Sequence, residues 1–268
     1  MISIRSGRGF GDSLYLQGVA RHLAQAGPQP IEVCSNYPDV FLPLNGRVQV
    51  SPFRRNNVSR VAHYISRKHV KGTDQFRDCC INAGVHELVE LRLDWMVQNP
   101  ALIERVQRPA RPIIIVHLPR APMDRSDGYG MELLPDCRTI QRAIDLLAGC
   151  ATIVQVGKGD PLFEFRGIDI DLANATSVAD VIDVASVASG FVGYCSFIVP
   201  LAESLRKPAL VVWSRRGSRS SNEFIRAITP QKIFHRVTSR AVFDDCDHPE
   251  LVEAVDALCR EVRSPALV

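Results

Sequence analysis

Short β-branched runs alternate with longer stretches whose apolar residues recur at helical spacing, from one end of the chain to the other. Ile2-Ser3-Ile4 reads as a strand. A helix over Ser13–Ala26 follows, with Leu14, Leu16, Val19 and Leu23 on its inner side, until Gly27-Pro28 stops it. Ile31–Cys34 and Val48–Val50 read as strands, and His86–Val97 as a helix closed by Asn99-Pro100. Gln107–Pro112 carries two prolines and no periodicity, so the chain is expected to divide there into domains 1–108 and 109–268. The second part alternates more cleanly. Ile113–His117 is a continuous apolar strand, followed by a polar loop over Pro119–Pro135, a helix over Arg138–Leu147 and a strand over Thr152–Val156. Ser177 opens the next helix with Asp180 three residues on, the spacing of a capping box. Phe191-Val192, Ile198–Leu205 and Ala209–Trp213 read as strand, helix and strand, and Pro249–Val262 as a closing helix. Repeated strand–helix units imply parallel sheets covered on both faces. The expected class is α/β, with two Rossmann-like domains facing a cleft.

Composition narrows the function. Apolar residues make up 46% of the 268 and charged residues 23%, which is globular usage and excludes a disordered chain. A net charge of +3 does not by itself demand a polyanionic partner. The longest apolar run, Ile113–Val116, is strand-sized, so no membrane span is expected. Arg5 and Arg8 are followed by glycines and Asp12, not by the apolar stretch of a signal peptide. The eight cysteines are scattered without a C-x-x-C pair, which points to reduced, buried thiols and a cytoplasmic protein. The seven histidines show no metal spacing, and Asp169-Ile170-Asp171 reads as a strand edge, so no metal is expected.

The first candidate for chemistry is the turn Gly7-Arg8-Gly9-Phe10-Gly11-Asp12 between the first strand and helix. Its G-x-G-x-G spacing falls one residue short of a dinucleotide fingerprint, and Asp12 sits where a pyrophosphate would have to rest. A dinucleotide site is therefore not expected. Asp12 reads either as a helix cap or as a general base at the carboxyl edge of a parallel sheet, and one carboxylate can do both. Gly9, Gly11 and Ser13 complete the turn.

Ser6–Leu14 resembles the opening G-x-G-D-x-L/V turn of the lipopolysaccharide heptosyltransferases, which have the glycosyltransferase-B fold. His69–Phe76 resembles their short histidine-to-aromatic segment, and Asp171–Val178 their L-x-G-x-T-S-L turn. Gly190–Phe197 stands in the place of F-V-G-N-D-S-G, and Pro200-Leu201-Ala202 with Lys207–Val211 in that of H-L-A…K-P-V-V. The motifs keep their order over most of the chain. Four positions depart: Tyr194-Cys195 replaces Asn-Asp, Phe197 replaces glycine and Pro200 replaces histidine. Those family residues contact the donor nucleotide, so the donor's identity does not carry over.

The resemblance implies transfer of a hexosyl or heptosyl group from a nucleotide sugar, a co-substrate and not a cofactor, to a hydroxyl acceptor. Inversion would occur without a metal, with Asp12 taking the acceptor proton. The same resemblance puts the donor over the second sheet, on loops carrying His117, Arg120 and Arg125, then Gly157 and Lys158, Thr176 and Ser177, and Cys195, Ser196 and Phe197. Arg215 and Arg216, in the Arg-rich loop after Trp213, suit a leaving diphosphate. Two rivals stand beside this reading. Arg54, Arg55, Arg60, Arg67, Lys68 and Lys71, with the Arg215 loop, would suit a modified nucleic acid as acceptor. The altered donor positions would equally suit a nucleotide- or sugar-binding protein without turnover.

Overall fold

In the computed structural model, residues 1–44, 46–64, 74–119, 129–221 and 239–263 are described. The first unit is a sheet of four parallel strands in the order β3-β2-β1-β4: β1 (Ile2–Arg5), β2 (Ile31–Cys34), β3 (Val48–Ser51) and β4 (Arg60–Val61). Ile2 lies opposite Ile31, and Ile31 opposite Val48, so one register runs across three strands. Helix α1 (Phe10–Ala26) begins at the glycine turn, and its apolar side, Leu14, Leu16, Val19 and Ala20, is fully buried. A 3-10 helix (Pro38–Leu44) and α2 (Gln75–Asn82) pack beside α1.

The second unit carries six parallel strands in the order β10-β9-β8-β5-β6-β7. Their ranges are β5 (Ile113–His117), β6 (Thr152–Val156), β7 (Ile170–Asp171), β8 (Gly190–Tyr194), β9 (Ala209–Trp213) and β10 (Ser239–Phe243). β5, β6, β8 and β9 are buried at every position, as their unbroken apolar runs require of strands covered on both faces. Helices α3 (Pro100–Gln107), α6 (Val178–Val187) and α7 (Ile198–Ser204) lie toward the first unit. Helices α5 (Cys137–Leu147) and α9 (His248–Arg263) cover the other face. Two short helices, α4 (Tyr129–Leu133) and α8 (Arg215–Ser218), pack on each other.

The expected α/β architecture of two parallel sheets is therefore present, and the strands of the second part fall where their apolar runs put them. The expected helix over 86–97 is absent. Residues 85–98 form an extended strap instead, with Leu91 and Leu93 buried and Arg92 and Asp94 turned outward. Alternation, not helical spacing, governs that segment. Two groups hold the strap. Arg21 of α1 donates to the carbonyls of Arg92 at 2.9 Å and Glu90 at 2.6 Å. The fully buried Asp183 of α6 accepts from Trp95 Nε1 at 2.6 Å, from the Gln98 amide at 2.9 Å and from the Asn99 amide at 2.6 Å. A buried carboxylate loses its hydration, and these donors replace it. The chain thus reaches the second unit by residues 95–99, and α3 packs on α6 before the prolines of Gln107–Pro112.

Candidate active site

The glycine turn ends at Asp12, in the first turn of α1. Asp12 Oδ2 accepts the Gly9 N–H at 3.0 Å, which satisfies one of the amides a helix start leaves unpaired. Its other oxygen, Oδ1, lies 3.5 Å from His63 Nε2. The turn needs glycine for a steric reason. A Cβ on Gly7 would stand 2.1 Å from Asp12 Oδ2, and a Cβ on Gly11 would stand 3.3 Å from Phe197 Cα of the second unit. Ser13, the residue after the turn, exchanges a 2.8 Å hydrogen bond with Ser35 and lines neither cavity.

Asp12 lines a cavity of about 200 Å³ between the units, with Tyr15, Tyr64 and Gln75 on one side and Cys195, Ser196, Phe197 and Pro200 on the other. Its two phenols and its thiol are held neutral by their surroundings. Burial pushes the Tyr15 and Tyr64 phenols well above their usual range, and for Tyr64 the Asp12 charge adds to it. Burial pushes the Cys195 thiol up to about 12, so it is not a thiolate at neutral pH.

A second cavity, of about 130 Å³, is lined by Phe10, Tyr37, His117, Gly157, Lys158, Thr176, Ser177, Val178, Val181 and Phe197. Six expected donor positions from four loops thus meet over the carboxyl ends of β5, β6 and β8 and the start of α6. His117 is fixed there. Its Nδ1 is 3.0 Å from Ser196 Oγ, its ring stacks on Tyr194 at 5.0 Å, and Phe197 meets it edge-on at 4.4 Å. Gly157 has φ +140, and a Cβ on it would stand 2.8 Å from Leu118 Cβ. Only glycine lets that turn pass so close to β5. Asn174 staples the same turn, accepting the Gly159 amide at 2.7 Å. The hydroxyls of Thr176 and Ser177 already serve the backbone. Thr176 donates to the Leu172 carbonyl at 3.2 Å, and Ser177 forms the expected capping box with Asp180. These two residues therefore line the cavity with their hydroxyls engaged in the turn.

Phe197 lines both cavities and separates them. Its ring packs on Phe10 across the units at 4.9 Å, and Phe10 in turn meets Tyr37 at 5.6 Å. Ligand sites usually occupy about 300–1,000 Å³, more than either cavity alone offers.

The remaining expected positions are elsewhere. Arg215 lies over the Phe243 ring at 3.5 Å and donates to both Asp245 oxygens at 3.0 Å, and Arg216 is exposed; neither lines either cavity. Arg120, Arg125, Arg67, Lys68 and Lys71 lie outside the described residues. Arg54 pairs with Glu32, and Arg60 donates to the Ala83 carbonyl, so two of the basic stretch are engaged within the first unit. Asp169 and Asp171 each bond β6, as a strand edge does. Among the described residues no three His, Cys, Asp or Glu side chains gather to hold a metal ion. No described helix is long and apolar enough to cross a membrane, and all eight cysteines are free. The sequence reasoning missed Phe10, Tyr37, His63 and Tyr64. Phe10 stood inside the motif that was singled out, whereas nothing in the sequence marks the others.

Two parallel-sheet units with cavities between their carboxyl edges define the glycosyltransferase-B fold, and solved structures agree. The chain is similar to ADP-heptose lipopolysaccharide heptosyltransferase II of E. coli over 98% of its own length and 100% of the other's, with a TM-score of 0.66 at 13% identity. A family 9 glycosyl transferase of Veillonella parvula matches with a TM-score of 0.67 at 9% identity, over 97% of both chains. E. coli heptosyltransferase WaaC, solved with ADP, matches over 97% of both chains with a TM-score of 0.53 at 12% identity. No protein-family model and no curated protein matches the sequence. The resemblance expected from the motifs therefore holds at the level of the fold.

Proposed function

We propose that the chain is a glycosyltransferase that moves a sugar from a nucleotide-sugar donor to a hydroxyl acceptor. The observation that carries the reading is the placement of Asp12: its carboxylate lines a cavity separated from the His117–Lys158 cavity by Phe197. In this reading the donor's nucleotide lies against Phe10, Val178 and Val181, with its diphosphate toward Lys158 and the first amides of α6. The acceptor hydroxyl enters the Asp12 cavity. Asp12 takes its proton while the acceptor oxygen attacks the anomeric carbon, and the bond to the diphosphate breaks on the opposite face. The configuration inverts, and Lys158 balances the charge on the leaving group without a metal.

One observation favours a second reading, a nucleotide- or sugar-binding protein without turnover: the Phe10–Phe197 contact closes the path between the cavities. Transfer by wild type separates the two, and one variant tests Asp12. Wild type is screened with nucleoside diphosphates and nucleotide sugars by thermal shift, since a ligand of the native state raises its melting temperature. Asp12→Asn keeps a capping oxygen, so donor stabilisation is expected to persist while transfer falls ~10²–10⁴-fold. Wild-type turnover in the variant overturns the role of Asp12. Donor stabilisation with no transfer by wild type to any acceptor supports the binding protein.

A further inference from the structure

His63 follows β4 and is fixed on several sides. The Ala62 amide beside it donates to the Arg5 carbonyl at 2.7 Å, its own carbonyl accepts from Asn82 Nδ2 at 2.7 Å, and its ring stacks on Tyr64 at 4.7 Å. Its Nε2 is thereby held 3.5 Å from Asp12 Oδ1, the oxygen that the Gly9 amide leaves free. Both side chains are mostly buried, each 17% exposed. The backbone concedes room for the pair: a Cβ on Gly7 would meet Asp12 Oδ2 at 2.1 Å and His63 Nε2 at 2.9 Å.

We propose that His63 is a positioning residue for Asp12, one that aims the free carboxylate oxygen at the acceptor hydroxyl and sets how readily it takes the proton. This rests on the reading of Asp12 as the base. The phenols and thiols around the pair carry no charge near neutral pH. Tyr15 from α1, Tyr64 beside the ring, Cys79 from α2 and Cys195 from the second unit all have pKa values raised by burial, and each stays uncharged. The Asp12 charge also raises Tyr64 and Cys79, which places those groups within its field. Asp74 and Asp78 of α2 act on Cys79 as well, and Asp74 is engaged by the Arg77 amide at 2.8 Å. Arg5 and Arg8 keep fixed positive charges over Phe53. An imidazole beside a carboxylate takes up a proton first as pH falls, and the resulting ion pair is a weaker base.

The test compares His63→Ala and His63→Gln with wild type in kcat, KM and the pH dependence of kcat. His63→Ala is expected to lower kcat roughly 10- to 100-fold with the donor KM unchanged, as for a mis-aimed catalytic group. His63→Gln keeps an N–H of similar reach and restores most of kcat. Its amide takes no proton, so the acid limb of its profile extends to lower pH than in wild type. Wild-type kcat in His63→Ala, or an unchanged acid limb in His63→Gln, overturns the proposal. If His63→Ala melts well below wild type, the His63→Gln profile alone decides. An inactive Asp12→Asn beside fully active His63 variants defeats only this proposal; an active Asp12→Asn defeats the reading beneath it.

Discussion

The two cavities are built by opposite means. The Asp12 cavity depends on a charged side chain at a helix start, and the backbone gives way to it at Gly7. The His117 cavity depends on backbone shape, with a glycine turn and a helix start against aromatic and aliphatic walls, and Lys158 is the one cation among its described lining residues. The first is therefore sensitive to where a single carboxylate sits, and the second to volume and to one charge.

Three substitutions sharpen or break that contrast. The largest effect is expected from Gly7→Ala, whose new methyl would stand 2.1 Å from Asp12 Oδ2 and drive the carboxylate out of place. Transfer should fall toward the ~10²–10⁴-fold loss of removing the base, with donor-induced thermal stabilisation retained. Equal loss of both would show that the cavities are not separable. Next, Lys158→Ala should weaken binding of a nucleoside diphosphate by ~1.5–3 kcal/mol, the worth of a hydrogen bond to a charged group. Calorimetric titration checks this, and unchanged affinity would place the diphosphate elsewhere. The smallest effect is expected from Arg215→Ala. Its pairing with Asp245 is half-exposed and outside both cavities, and such pairs are worth ~0–1 kcal/mol. Diphosphate affinity should stay within about twofold, and a larger loss would restore this loop to the donor site.

How much of this was legible in the sequence depended on the kind of signal. Continuous β-branched runs such as Ile113–Val116 fixed the second sheet, because a strand buried on both faces has no other pattern. The edge strands β7, of two residues, and β10, which opens on Ser239-Arg240, carry too few apolar residues to stand out. The strap was misread although its signal was present: Val89, Leu91, Leu93 and Trp95 alternate, and all four pack on the core. Arg215 sat at the right place in the chain, after a strand facing the cleft, but Phe243 at the end of β10 and Asp245 just beyond it claim its side chain. No local pattern announces such a partner. His63 was invisible for the same reason, since its partner is 51 positions away and nothing links them before folding. Of the four positions that depart from the heptosyltransferase pattern, three became intelligible only as packing. Tyr194 backs His117, Phe197 closes the gap to Phe10, and Pro200 faces Gly11 at a distance where a Cβ would stand 3.2 Å from its Cγ.

That last contact bears on motion. One apolar core runs without a break from Ile4 and Val33 of the first sheet, through α1 and α7, to Phe191 and Val154 of the second. Swinging the units apart like a hinged book would expose this surface to water at about 25 cal/mol for each Å² uncovered. Relative movement is then cheapest as shear, with α1 and α7 sliding past one another by small steps along the side-chain-free track at Gly11. The Phe10–Phe197 contact lies beside that track, so a slide of the helices and a parting of the rings would be the same event.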